Sequence, residues 1–143
     1  MFEGQIIIAE DQKVNLDALQ MTIDRVGIDS KCEYCIDGRD TLQVALGILE
    51  EALQRPMFDR ERPIALMLLD LQMPYMTGME VVKEMQKFYS LHKDRLVEPM
   101  YVFLTAFTTP NFKKYVSGLG VNHCYEKPLS EDQLLTLVEE LKK

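Results

Sequence analysis

Along the chain, short unbroken apolar runs alternate with stretches whose apolar residues recur at helical spacing. The first run, Ile6 to Ala9, stops at Glu10-Asp11. Leu16, Leu19, Ile23 and Val26 then mark one face of a helix that Gly27 ends. Lys31 to Ile36 predicts a second strand, and the Asp37-Gly38 turn opens a helix with Leu42, Ala45, Leu46, Leu49 and Leu53 on one face. Ile64 to Leu69 is apolar without alternation, as a strand covered on both sides must be, which places it at the centre of a sheet. Val81, Val82, Met85, Phe88 and Tyr89 form the stripe of a third helix, and Met100 to Leu104 forms a fourth strand ending at Thr105. A weaker fourth helix lies around Phe112, Tyr115 and Val116. His123 to Glu126 is a short fifth strand, and the run Ser130 to Gln133 has capping-box spacing ahead of Leu134, Leu137, Val138 and Leu141.

Five strands, each followed by a helix, predict an α/β fold: a doubly wound, five-stranded parallel sheet with helices on both faces. Parallel neighbours need right-handed helical crossovers, and ligands of such sheets gather beyond the carboxyl ends of the strands. Two connections, Gln54 to Pro63 and Ser90 to Pro99, exceed the usual ~4–6 residues and read as surface elaborations. With 143 residues and 47% hydrophobic content, the whole chain is expected to be one domain whose core runs from Gln5 to Leu141.

Composition narrows the function classes. A net charge of −7 without a basic stripe argues against direct nucleic-acid binding. No apolar run reaches the ~18 residues of a membrane span and no leader is evident, so a cytoplasmic protein without membrane contact is expected. Three cysteines cannot all pair internally, and Cys32 and Cys35 fall on opposite faces of their strand, so reduced thiols are expected rather than a redox or zinc pair. His92 and His123 lack companions at metal-ligand spacing and receive no role. The nine methionines read mostly as core filler, with Met73 and Met76 expected at a partner-facing edge.

The strand ends bring together Glu10, Asp11, Asp70, Thr105 and Lys127. Two like charges ~4 Å apart repel by about 1 kcal/mol in water and about 4 kcal/mol at an effective dielectric of 20, so three clustered acids call for a cation. Carboxylate oxygens suit a hard divalent ion, Mg²⁺ or Mn²⁺, and Lys127 adds a fixed positive charge. In that setting Asp70 is equipped to act as a nucleophile toward a phosphoryl group. Glu10 and Asp11 also suit the start of the first helix, a role compatible with metal binding.

The acidic pair Glu10-Asp11, the segment DLQMPYMTG from Asp70 to Gly78 with its D-x3-P-x3-G spacing, Leu104-Thr105-Ala106 and Lys127-Pro128-Leu129 occur together in the order seen in one family. On these motifs the chain resembles the receiver domains of two-component signalling, and Glu10 to Asn15 is similar to the start of receivers found in hybrid histidine kinases. The resemblance implies a flavodoxin-like strand order 2-1-3-4-5. It also implies phosphoryl transfer onto Asp70 from a histidine kinase or histidine phosphotransfer domain, with the chain alone not an enzyme. Mg²⁺ would be held by Glu10, Asp11, Asp70 and the backbone carbonyl of Gln72. Lys127, Thr105 and Ala106 would receive the phosphoryl group, and Pro128 would follow a cis peptide. Either the excised receiver of a hybrid kinase or a stand-alone response regulator fits, and a weak homodimer is allowed. Cys124 stands where the family commonly has an aromatic switch residue, and Tyr125 follows on the opposite face, so the usual threonine–aromatic coupling is not expected. Gln72 and Phe107 would border the path of water to the acyl phosphate, with bulky Phe107 slowing hydrolysis. Two alternatives remain. The first is a small aspartate-nucleophile phosphatase, disfavoured because Gln72 stands where its second acid would be. The second is an interaction scaffold independent of phosphorylation.

Overall fold

A computed structural model describes residues 2–56 and 58–143. Strands and helices alternate throughout: β1 (Gln5–Ala9), α1 (Lys13–Val26), β2 (Cys32–Cys35), α2 (Gly38–Gln54), β3 (Ile64–Asp70), α3 (Gly78–Ser90), β4 (Met100–Thr105), α4 (Pro110–Gly118), β5 (His123–Glu126) and α5 (Glu131–Lys142). The strands form one parallel sheet in the order β2-β1-β3-β4-β5, which is the expected order. All seven residues of the central strand β3 are buried, which explains its unbroken apolar run.

Alternation along the strands divides the core in two. Ile7, Ala9, Met67, Leu69, Tyr101, Phe103 and Cys124 face α2, α3 and α4, whereas Ile6, Ile8, Leu66, Leu68, Val102 and Leu104 face α1 and α5. Gly27 ends α1 in the left-handed conformation, at φ 77°, with its N–H bonded to the Ile23 carbonyl. The capping box forms as expected between Ser130 and Gln133, and a second one, Thr77 with Glu80, starts α3.

Some boundaries and faces differ from expectation. The edge strand β2 pairs with β1 alone and forms only from Cys32 to Cys35. On α2 the buried line is Gly38, Thr41, Ala45, Leu49 and Ala52, while Leu42, Leu46 and Leu53 flank it; small residues let the helix approach the sheet closely. On α4 only Val116 is buried, and Tyr115 is exposed.

The two long connections join each other. Glu61 bridges Leu96 in parallel, the Arg95 guanidinium donates to the carbonyls of Leu53 and Arg55, and Arg60 and Arg62 donate to those of Leu96 and Glu98. Met57, in the first of them, lies outside the described residues. This brace closes the edge of the sheet opposite to the strands' carboxyl ends.

Gly78 fixes the entry of α3 against the end of β3. A Cβ there would lie 2.7 Å from the Asp70 carbonyl oxygen and 3.3 Å from both the Leu71 Cα and a Phe103 ring carbon. Gly78→Ala is expected to lower unfolding stability by about 1–3 kcal/mol through forced backbone movement. Urea unfolding reads this as a lower midpoint at constant slope, and an unchanged midpoint would show that α3 shifts freely.

Candidate functional site

Parallel pairing sets the carboxyl ends of the strands level. Ala9 pairs with Leu69, Asp70 with Leu104, and Thr105 with Glu126. The residues that end or follow these pairs, Glu10, Asp11, Asp70, Thr105 and Lys127, therefore share one edge. Backbone bonds hold them there: Glu10 N–H to the Cys35 carbonyl at 3.0 Å, Leu71 N–H to Leu104 at 3.1 Å, and Lys127 N–H to Thr105 at 2.8 Å.

Glu10, Asp11 and Asp70 each bring a carboxylate oxygen within 4.8 Å of the other two. The Lys127 ammonium bridges two of them, 2.7 Å from Glu10 Oε1 and 3.1 Å from Asp70 Oδ1. Glu10 is 1% exposed, and its other oxygen accepts the Gln12 N–H at 3.0 Å, so it also anchors the start of α1. Asp70 Oδ1 also accepts the Gln72 N–H at 3.1 Å. Burial pushes the Asp70 carboxyl up to about 7. The adjoining Asp11 carboxyl pushes the same way, Lys127 and the Gln72 N–H pull it down, and Glu10 adds to the rise. Burial by itself would depress Lys127, but its bonds to Glu10 and Asp70 outweigh that and raise it.

The other expected site residues surround this cluster. Thr105 is buried, and its hydroxyl donates to the Phe107 carbonyl at 3.2 Å. Ala106 is exposed beside it, Phe107 is 72% exposed, and the Lys127–Pro128 peptide is cis. Cys124 packs with the α2–α4 side and Tyr125 with the α1–α5 side, as their alternation requires. Cys32, Cys35 and Cys124 are free thiols. His123 pairs with Glu140 on α5 and the His92 ring lies tilted against Phe88, so neither joins the acids. Met73 departs from expectation: at 9% exposure it belongs to the core rather than to a docking rim.

Two features at this edge were not read from the sequence. Tyr75 holds a left-handed backbone, at φ 69°, with its ring under the Arg39 guanidinium at 4.2 Å. Glu126 reaches from the end of β5 to accept the Thr108 N–H at 3.1 Å. Neither contact has a local sequence signal, since the partners are far apart in the chain: Tyr75 meets Arg39 of α2, and Thr108 meets Glu126 of β5.

A hard divalent cation fits these residues chemically. Three convergent carboxylates are countered by one lysine, and burial has already taken much of their solvation away. Among the described residues, no helix is long and apolar enough to cross a membrane.

Comparison with known proteins places this geometry. The description "Response regulator receiver domain" matches residues 6–139. Hybrid signal transduction histidine kinase K of Dictyostelium discoideum is 28% identical over 137 residues, covering 94% of this chain and 10% of that protein. Peroxide stress-activated histidine kinase mak1 of Schizosaccharomyces pombe is 28% identical over 135 residues, covering 93% of this chain and 7% of that protein. The chain thus spans a tenth or less of these curated relatives. Among solved structures, a two-component response regulator from Cytophaga hutchinsonii superposes with a TM-score of 0.75 at 14% identity, covering 99% of this chain and 98% of that one. The CheX-CheY-BeF3-Mg complex from Borrelia burgdorferi contains a chain with a TM-score of 0.74 at 15% identity, covering 99% of this chain and 91% of that one. At these identities the structures establish the fold.

The raised Asp70 carboxyl has a measurable sign. The folded chain keeps this proton up to about pH 7, whereas the unfolded chain loses it near the ordinary 3.8. Folding therefore takes up a proton between these values. Metal-free stability should fall as pH rises through that window, with this contribution lost above pH 7. Thermal melts across pH are expected to show a shallower decline for Asp70→Asn, and millimolar Mg²⁺ should restore wild-type stability above pH 7. A wild-type-to-variant difference that stays constant with pH would contradict the assignment.

Proposed function

The chain belongs to the response regulator receiver domain family, and from that premise we propose that residues 1–143 form one receiver unit that takes a phosphoryl group from a partner's phosphohistidine onto Asp70. The observation that carries this reading is the Lys127 ammonium, bridging Glu10 and Asp70 inside a group of three carboxylates.

In the proposed transfer, an Asp70 carboxylate oxygen attacks phosphorus, the new P–O bond forms as the P–N bond breaks, and the electron pair of that bond returns to the partner's imidazole. Lys127 is close enough to Asp70 to follow the charge as it moves onto the phosphoryl oxygens. Mg²⁺ or Mn²⁺, held by Glu10, Asp11, Asp70 and the Gln72 carbonyl, would supply the remaining charge neutralisation. Thr105 would donate to a phosphoryl oxygen, and the small side chain of Ala106 would leave room for the group. Phe107 and Gln72 would control access of water to the acyl phosphate.

The partner class follows from what adjoins Lys127. A groove between α1 and the turn that follows β5 is lined by Ala18, Met21, Arg25, Pro128 and Leu129, and Val14 on the same helix is 80% exposed. This apolar footing suits the helical surface of a histidine kinase or histidine phosphotransfer domain. Similarity to receivers of hybrid kinases supports a place in a cytoplasmic phosphorelay, either within such a kinase or as a separate regulator.

Incubation with Mg²⁺ and acetyl phosphate should add one phosphoryl mass to the intact protein. The adduct should be absent without the metal and absent in Asp70→Asn. An unresponsive wild type, or normal labelling of Asp70→Asn, would overturn the proposal. Sustained turnover of a generic phosphoester would assign phosphatase chemistry to the same residues.

A further inference from the structure

Resting on that reading, we propose that Glu126 is a positioning residue that holds the Thr105 hydroxyl away from the acid cluster through a single peptide unit. The Thr105 hydroxyl donates to the Phe107 carbonyl at 3.2 Å, and the Thr108 N–H donates to Glu126 Oε1 at 3.1 Å. That carbonyl and that N–H belong to the same planar peptide, so the plane is pinned at both edges, by β4 on one side and by β5 on the other. Thr105 and Glu126 are register partners, which sets the span between the two anchors. The Thr108 hydroxyl also lies 3.8 Å from Cys124 Sγ, a second tie from the loop to β5.

A hydroxyl has one proton to donate. Thr105 cannot donate to the Phe107 carbonyl and to a phosphoryl oxygen at the same time, so engaging the phosphoryl group releases one edge of the pinned peptide. Glu126 favours the pinned arrangement and therefore opposes that release. It is also the contact through which a turn of Thr105 reaches β5. Cys124 and Tyr125 provide no aromatic side chain on the α4 side of β5 for the usual coupled rotation, whereas the peptide relay needs none.

The test uses beryllofluoride with Mg²⁺ as the phosphoryl probe on wild type, Glu126→Ala and Glu126→Gln, followed by amide NMR. Removing the acceptor in Glu126→Ala should tighten apparent beryllofluoride affinity by about three- to tenfold, the range expected for the net effect of one hydrogen bond. It should also abolish the shifts of Cys124 and Tyr125 amides on binding while leaving that of Thr105. Glu126→Gln keeps a carbonyl acceptor of the same reach and should behave as wild type. Equal tightening in both variants would reduce the effect to lost negative charge and overturn the inference, as would unchanged affinity and β5 shifts in Glu126→Ala. A wild type that ignores beryllofluoride would instead defeat the receiver reading itself.

Discussion

Repulsion among three carboxylates at one edge of the sheet is the constraint around which this molecule is built. Glu10 and Asp70 are almost wholly removed from solvent, and Asp11 lies beside them. Burial displaces Asp70 toward neutrality, and the neighbouring Asp11 and Glu10 carboxylates push it the same way. One ammonium offsets part of the charge. Lys127 lies nearer to Glu10 than to Asp70, so the lysine is held mainly by the acid that also anchors α1, and its second contact reaches the central strand. The remaining imbalance leaves three convergent carboxylates countered by a single ammonium, a donor set that suits a hard divalent cation.

Such a pocket needs a rigid mount, because the repulsion would otherwise spread the acids apart. The parallel sheet supplies it. Asp70 ends the strand that is buried along its whole length, and the flanking strands place Glu10 and Thr105 on either side of it. The close approach of Gly78 to the Asp70 carbonyl locks the turn that follows. Tyr75, held in a left-handed backbone beneath Arg39, secures the outer part of the same loop against the start of α2. A left-handed tyrosine is costly by itself, and the stacked guanidinium offsets that cost.

The parts of this arrangement that depend on periodicity and strand order were legible in the sequence. The unbroken run before Asp70 marked the central strand, and the charged residues at the ends of the first, third and fifth strands, Glu10, Asp11, Asp70 and Lys127, form the cluster. What was not legible depends on how closely elements approach. The buried face of α2 keeps Ala45 and Leu49 but runs on through Gly38, Thr41 and Ala52 rather than Leu42, Leu46 and Leu53, because closeness to the sheet favours small side chains. Met73 looked like a rim residue from its place beside Asp70, yet the chain folds it inward against the core. The contact of Glu126 with Thr108 joins the end of β5 to the loop after β4, whose proximity is set only once β4 and β5 have paired.

Unequal burial then determines where this sheet can yield. At the edge opposite the acids, the two long connections are laced together by arginines that saturate backbone carbonyls, which leaves little freedom there. On the same face of the sheet, α3 buries five residues, whereas α4 buries only Val116 in a helix of nine residues that starts at a proline. Opening free energy is lowest where few apolar contacts must be given up. The loop from Ala106 to Thr109 and the helix it leads into are therefore more weakly packed than the strands that hold Asp70 and Glu10. A change of charge at Asp70 would therefore meet less resistance beside β5 than at the fully buried strand β3 or at the braced opposite edge, because fewer apolar contacts stand in the way there.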